Sequence, residues 1–444
     1  MKRVLILGAG LVSKPMIEYL LGHGFNITVA SPMKDKADEM IAGNPAGSAV
    51  DWSMDNPEEL DRMVASHDLT VSLLPYKFHV DVARVCLKNK KHLVTTSYVQ
   101  PAMMEMDKDV RSSGLIFLNE VGLDPGIDHM SAMRIIDSVK SKGGTIEEFY
   151  SLCGALPAPE CADNPFGYKF SWSPKGVVLA SRNGAYYLKH GKEVTIEAVN
   201  LFKDRFTHLF PGVGELEVYP NRDSISYISI YGLEGIRTMY RGTFRYKGWC
   251  ETLDLMKSIG LIDDGDHDYN GKTFRQFVTE KASVKGDNLR KELKDKKGLK
   301  PTSHAIDALE WLGLFSDKDM GYGITSPFEI TSDLMINKMW LGDHDRDMIV
   351  MQHLFLASYP NKKKEVISST MLDFGSPATN TSIARTVALP AAIAVRLILS
   401  GKIKVTGVHR PVIPDLYNPI LSELSEIGIR MNEQYGLPLE MMIK

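Results

Sequence analysis

An α/β chain is what this sequence predicts: an N-terminal doubly wound parallel sheet, then a second α+β mixed-sheet domain and a helical insertion domain. Three observations carry the prediction. Strand, turn and helix signals recur every ~20 to 30 residues over the first ~120 positions, the rhythm of strands joined by covering helices. The strand segments there are short unbroken apolar runs, as expected when both faces of a strand are buried. Beyond Asp124-Pro125-Gly126 the apolar residues begin to alternate instead.

In order, the strands of the first domain are expected at Val4–Leu7, Ile27–Ala30, Ser48–Asp51, Leu69–Leu73, His92–Thr96 and Leu115–Asn119. In the second domain Ile146–Leu152, Val194–Val199, Thr238–Tyr246, Asp347–Phe355 and Val366–Phe374 tend to alternate, which predicts a sheet with one solvated face. Residues 253–340 are rich in Lys, Asp, Leu and Gly and space Ala305, Leu309, Leu312 and Leu314 as a helix does. The expected division is therefore 1–122 for the first domain, 123–252 with 341–381 for the mixed-sheet domain, and 253–340 for the helical one. The last stretch, 382–444, reads as helical and as packing back on the first domain.

Composition narrows the function. At 444 residues the chain exceeds the size at which a single core keeps growing, so several domains are required. With 44% hydrophobic and 24% charged residues it is neither disordered nor collagenous. Fifty-two Lys and Arg against fifty-five Asp and Glu leave a net charge of -3, which provides no basic footprint for nucleic acid or an anionic membrane. A small-molecule partner is expected. Met1-Lys2-Arg3 ahead of Val4–Leu7 imitates the start of an export signal, but Lys14 and Glu18 interrupt it, so a cytoplasmic location is expected. Val387–Val395, flanked by Arg385 and Arg396 and holding Pro390, falls short of the ~20 residues of a membrane span and reads as a buried helix. Cys86, Cys153, Cys161 and Cys250 are widely spaced, with no zinc-ligand pattern, so reduced thiols and no metal are expected.

Gly8-Ala9-Gly10-Leu11-Val12-Ser13 follows the first strand directly and precedes a helical pattern of Val12, Met16, Ile17 and Leu20. Gly8 suits the tight turn, and Gly10 lets backbone N–H groups approach a pyrophosphate at the helix N-terminus. Ser13 stands where the third glycine of this fingerprint is usual. Together with the five further strand units, the turn predicts a Rossmann domain binding a nicotinamide dinucleotide. The second strand ends Ala30-Ser31-Pro32-Met33-Lys34 without an acid to hold the ribose hydroxyls of NAD. Ser31 and Lys34 suit a 2'-phosphate, giving a lean toward NADP over NAD; the other reading of Lys34 is a solvated lysine on the next helix. Leu73-Leu74-Pro75-Tyr76 and Thr96-Ser97-Tyr98 close later strands, and ligands of open α/β sheets bind outside those carboxyl ends. Leu74, Thr96 and Ser97 are therefore candidate cofactor contacts, and Ser97 and Tyr98 candidate substrate contacts.

Four separated segments, Asn119–His129, Tyr168–Pro174, Tyr219–Ser224 and Arg241–Tyr246, resemble the saccharopine dehydrogenases of the glutamate-forming type, also called saccharopine reductases. The resemblance runs from the fingerprint to the last helix. It implies reversible cleavage of saccharopine, with water and an oxidised nicotinamide cofactor, to glutamate and 2-aminoadipate 6-semialdehyde, and a homodimer. It implies cofactor contacts at Leu123, Asp124, Pro125 and Trp172, and active-site roles for Asp124 and Cys153. Asp124 could accept a hydrogen bond from the substrate amine; its other reading is a helix N-cap ahead of Pro125.

The resemblance also points to Arg222 and Arg245 for the substrate carboxylates, with Thr243 and the backbone of Phe244 adding neutral hydrogen bonds. A guanidinium fork pairs bidentately with carboxylate, so the residue type suits the chemistry. Pro220-Asn221 is a turn signal that places Arg222 on a loop. Read from the strand alone, Arg245 is a charge on the wet face of an alternating strand. Trp172 closes an aromatic series with Phe166, Tyr168 and Phe170 whose spacing suits a strand. Asp128 and His129 are expected to face their helix environment rather than a metal. Rival functions are a related lysine or carboxyspermidine dehydrogenase and a dinucleotide-binding sensor without turnover.

Overall fold

Val4–Leu7 are fully buried along a parallel sheet, and the order of strands around them fixes where ligands bind. The structure is a computed structural model that describes residues 2–299, 303–360, 363–377 and 380–443. Its contacts group into two units, 1–146 with 356–373 and 380–444, and 147–355 with 374–379.

In the first unit, β1 (Arg3–Leu7), β2 (Asn26–Ser31), β3 (Gly47–Asp51), β4 (Leu69–Ser72), β5 (His92–Thr95) and β6 (Ile116–Leu118) lie where the sequence predicts them, within a residue or two. They run parallel in the order β3-β2-β1-β4-β5-β6. The order reverses between β1 and β4, the switch point at which doubly wound sheets hold their ligands. A seventh strand from the far end of the chain, β17 (Gly407–His409), pairs in parallel with β6. The connecting helices are α1 (Lys14–Gly22), α2 (Lys34–Ile41), α3 (Pro57–Ser66), α4 (His79–Lys88), α5 (Pro101–Met104), α6 (Asp107–Ser112) and α7 (Ile127–Ser141). Asn56 starts α3 by accepting the Glu59 N–H, with Pro57 at the first turn where its missing N–H costs nothing.

The last stretch is not purely helical. Besides α15 (Ser382–Leu399) and α16 (Pro414–Glu426) it contributes β17 and β18 (Asn432–Leu437), the latter paired antiparallel with β16 (Lys364–Phe374). These strands are too short, or too polar, to show a period. The apolar segment foreseen at Val387–Val395 is longer than that: α15 has the length and composition to cross a membrane, yet 13 of its 18 residues are buried in the protein. It packs against α1.

The second unit holds β7 (Thr145–Pro157), β8 (Ala185–Lys189), β9 (Lys192–Ile196), β10 (Phe206–Phe210), β11 (Gly214–Pro220), β12 (Thr238–Arg245) and β15 (Asp347–Ser358). They form a mixed sheet ordered β10-β11-β12-β7-β15, with the β8–β9 hairpin on β12. The residues around it include α8 (Pro174–Ala180), α9 (Ser226–Ile230), α10 (Trp249–Ser258), α11 (Phe274–Ala282), α12 (Leu289–Lys297), α13 (Ala305–Leu312), α14 (Pro327–Lys338) and a two-residue ladder of β13 (His267–Asp268) and β14 (Ile324–Thr325). A capping box of Thr273 and Gln276 starts α11.

Three expectations for this unit need correction. No solvated face appears in β12 or β15: Arg241 and Arg245 on one face of β12, and the neighbouring Gln352 and His353 on opposite faces of β15, are all buried. Burial is tolerated where such a group finds a partner, as Gln352 Oε1 does 2.6 Å from His208 Nε2. The Val194–Val199 strand is β9, which stops at Ile196 before a 3-10 turn at Ala198–Asn200. Finally, Phe166, Tyr168 and Phe170 are buried but belong to an irregular segment, held at one bridge between Phe170 and Trp340. Alternation there reflects a loop with buried anchors, not a strand.

Candidate functional site

The turn between β1 and α1 is shaped for a dinucleotide. Gly8 has φ 110°, and its N–H donates to Ala30 O at 2.9 Å across to β2; a Cβ there would lie 3.2 Å from Leu73 O. A Cβ at Gly10 would instead meet nothing within 4 Å, so the turn keeps open space beside the N-terminus of α1. That is the cradle a pyrophosphate needs, and the residues fit the group. Ser13, fully buried, does more than pack: its Oγ donates to Gly8 O at 3.1 Å and accepts the Gly10 N–H at 3.0 Å. Leu11 is exposed and Val12 half-buried on the same turn.

At the end of β2, Ser31 is buried and its Oγ accepts the Met33 N–H at 3.1 Å. Lys34 opens α2, exposed, with Nζ 2.5 Å from Asp38. Its solvated reading therefore describes the resting side chain, although an exposed pair of this kind is weak enough to exchange for a phosphate.

Across the switch point, Leu74, Thr96, Ser97 and Tyr98 are half-buried beyond the ends of β4 and β5. Ser97 is held by a residue that sequence reasoning missed. His79, at the start of α4 and buried, places Nε2 2.8 Å from Ser97 Oγ and Nδ1 2.9 Å from Ser72 Oγ. Burial pushes its imidazole down to about 4, so the ring is neutral near pH 7. The Tyr98 hydroxyl lies 3.4 Å from Asp124 Oδ1.

Asp124 sits half-buried in a tight loop, between buried Leu123 and Pro125. Gly126 has φ 148°, and a Cβ there would fall 2.0 Å from Gly122 O, so only glycine closes this loop. Helix α7 begins at Ile127 with Gly126 as its N-cap, and it is Asp128 that accepts the Gly126 N–H, at 2.6 Å. Asp124 is therefore not the N-cap residue of this helix, and Pro125, one residue before the N-cap, lies outside its first turn. Glu120, at φ 59°, ties the loop down: its backbone N–H donates to Ser97 O, and its carboxylate accepts from Val99 N, Arg410 Nε and His129 Nε2 at 2.9, 2.8 and 2.7 Å. Burial alone would raise the Glu120 carboxyl, but His129, Arg410 and the Val99 N–H outweigh it and hold it below its ordinary range. His129 thus faces Glu120, and no cluster of metal-ligating residues occurs among the described residues.

In the second unit, Tyr219, Thr243 and Cys153 stand on one rung of β11, β12 and β7. Arg245 follows on β12, only 5% exposed, which removes the wet-face reading. Its guanidinium lies over the rings of Tyr168, Trp249 and Tyr219 at 4.9, 5.3 and 5.9 Å. Nη1 donates to Phe244 O at 2.8 Å, while Nε is buried without a partner, and no described carboxylate pairs with the group. A buried cation stacked on aromatic faces and short of acceptors is prepared for an anion. Trp172, half-buried, donates from Nε1 to the Tyr168 hydroxyl at 3.3 Å. Arg222 is exposed on the turn after β11, at φ 50°, where its carbonyl accepts the Tyr186 N–H.

Comparison with known proteins accounts for both units. Residues 4–118 match the model of the saccharopine dehydrogenase NADP binding domain, and residues 122–429 that of the saccharopine dehydrogenase C-terminal domain. The saccharopine dehydrogenase (NADP(+), L-glutamate-forming) of Schizosaccharomyces pombe is 35% identical over 450 residues, 98% of this chain and 99% of that protein. The mitochondrial alpha-aminoadipic semialdehyde synthase of Bos taurus is 38% identical over 453 residues; 99% of this chain is matched, but the chain spans only about half of that protein, 48%. An apo histidine-tagged saccharopine dehydrogenase (L-Glu forming) from Saccharomyces cerevisiae aligns with a TM-score of 0.90 at 33% identity, covering 98% of this chain and all of that one, 100%. With its two models filling nearly the whole length, the chain belongs to the saccharopine dehydrogenase family.

Proposed function

We propose that this protein is an NADP-dependent oxidoreductase of lysine metabolism that reversibly cleaves saccharopine to L-glutamate and 2-aminoadipate 6-semialdehyde. The observation that carries the reading is Arg245, a buried guanidinium stacked on three aromatic rings and left without a described carboxylate. The names of the full-length relatives support the substrate, and the family model of residues 4–118 supports NADP.

Bound in the turn of Gly8 and Gly10, the nicotinamide cofactor supplies the hydride acceptor. The remaining work belongs to side chains. Arg245 and Arg222 pair with substrate carboxylates, Arg245 in a low-dielectric setting where a charge-assisted hydrogen bond is strongest. Thr243 adds a neutral contact. Asp124 accepts a hydrogen bond from the substrate amine, and Tyr98 orients that carboxylate. Cys153 lines the same rung as Thr243 and takes no covalent part. Removal of hydride from a carbon bearing nitrogen, followed by attack of water, needs positioning and charge complementarity more than a strong base.

The test is a spectrophotometric assay of purified protein with saccharopine, free lysine and carboxyspermidine, each with NADP and with NAD. Saccharopine is expected to reduce NADP, and lysine alone is not. Rapid reduction by lysine with none by saccharopine would overturn the assignment, and dinucleotide binding without any turnover would point to a sensor.

A further inference from the structure

Ser72 ends β4, Ser97 follows β5, and the imidazole of His79 spans the two hydroxyls, at 2.9 Å on Nδ1 and 2.8 Å on Nε2. Because the ring is buried and neutral, one nitrogen donates and the other accepts. Which does which follows from Ser72. That side chain is fully buried, and His79 Nδ1 is its hydrogen-bond partner among the described residues. If Nδ1 carried the proton, the Ser72 hydroxyl hydrogen would be left buried without an acceptor, at the full cost of desolvating a donor. If Ser72 donates to a bare Nδ1, that cost vanishes and Nε2–H points at Ser97 Oγ. Thr95 Oγ1 is 3.5 Å from either nitrogen, too long to compete, and it accepts the Ser97 N–H at 3.3 Å.

We infer that His79 is a positioning residue that is held as the Nε2–H tautomer and makes Ser97 a hydrogen-bond donor toward the groove. With a lone pair of Ser97 Oγ occupied by Nε2–H, the hydroxyl hydrogen of this half-buried serine turns outward. The group it recognises is an oxygen acceptor, a carboxylate or carboxamide oxygen of the bound ligands, and not an N–H. This rests on the proposed function only in placing ligands beyond the ends of β4 and β5.

Two measurements on the full chain separate the inference from that reading. In imidazole nitrogen spectra of uniformly labelled protein, the His79 signal, assigned by its loss in His79→Gln, should show a protonated Nε2 and a bare Nδ1 near pH 7. A protonated Nδ1 overturns the inference whatever the enzyme's activity. In steady-state assays, glutamine places its amide near the position of Nε2 and can still donate to Ser97, whereas the shorter asparagine reaches only toward Ser72. His79→Gln should therefore retain wild-type KM values within about twofold. His79→Asn and Ser97→Ala should each raise the KM for saccharopine or for NADP by roughly three- to tenfold, the same ligand in both, with kcat changed less. Equal kinetics for the Gln and Asn variants would sink the positioning role. A wild-type protein that fails to turn over saccharopine would sink the proposed function and leave the tautomer measurement to decide this one.

Discussion

Glu120 Oε2 and His129 Nε2 lie 2.7 Å apart with both side chains sealed from solvent, and the same carboxylate holds Val99 N and Arg410 Nε through its other oxygen. Breaking a buried pair by removing one partner is costly because the other is left uncompensated. Glu120→Ala is expected to destabilise the protein by about 3–5 kcal/mol. Glu120→Gln keeps an acceptor for Val99 and Arg410 and should cost clearly less. Urea unfolding followed by circular dichroism checks the order; equal losses in the two variants would mean that the charge, not the hydrogen bonding, dominates.

Arg222→Ala and Arg245→Ala should each raise the KM for saccharopine roughly ten- to a hundredfold, with NADP affinity nearly unchanged. The two differ in stability. Arg245 is stacked on Tyr168 and Trp249, so its loss also lowers the melting temperature, whereas the exposed Arg222 can be removed without that effect. Arg245→Lys keeps the charge but not the planar fork, and should recover only part of the binding. Normal saccharopine binding in both alanine variants would place the substrate elsewhere.

Cofactor choice should respond to the end of β2. The native protein is expected to prefer NADP modestly and to accept NAD at higher concentration. Pro32→Asp puts a carboxylate where it pairs with ribose hydroxyls and repels a 2'-phosphate, and should cut the NADP over NAD ratio of kcat/KM by roughly tenfold. Lys34→Ala should change it less, because it removes one exposed charge and adds no carboxylate to repel the phosphate. Specificity constants for both cofactors on all three proteins decide the matter; a native preference for NAD would remove Ser31 and Lys34 from the site.

Cys153→Ser should reduce kcat only a few-fold, since no bond to sulfur forms in the proposed chemistry. Asp124→Ala should reduce it more, by roughly tenfold or beyond, through lost orientation of the amine. Complete loss of turnover in the cysteine variant, with an unchanged melting temperature, would show a greater role for the thiol.

His79 also predicts a pH dependence of stability. Its folded value of about 4 lies below the ordinary 6.5, so between these pH values the unfolded chain binds a proton that the native chain does not. Stability from this group is complete above pH 6.5 and is lost as pH falls toward 4, by on the order of 3 kcal/mol. Denaturant unfolding at pH 7.5 and 4.5 should show a larger loss for the native protein than for His79→Gln. Identical losses would mean that the ring titrates normally.

The first sheet was legible because its signals are local. Gly8, Gly10 and Ser13 fall within six positions, and unbroken runs such as Val4–Leu7 need no partner to be recognised. The supporting groups were not legible for the opposite reason. Ser72 and Ser97 meet His79 from 7 and 18 residues away, and Arg410 meets Glu120 from 290. Arg245 shows the remaining limit: alternation gives which side of a strand a residue takes, but not what covers that side, and here aromatic rings cover it.

The seventh strand has a consequence for the order in which the chain can assemble during synthesis. Residues 407–409 complete the parallel sheet beside β6, yet they leave the ribosome almost three hundred residues after it. Until then β6 presents an open edge, with unpaired N–H and C=O groups along an apolar strand. Closure at such sequence distance is slow, and an open edge is a template for pairing with other nascent chains. A stop codon ahead of Gly407 would therefore do harm out of proportion to the residues lost, yielding a product that clumps rather than a shortened enzyme.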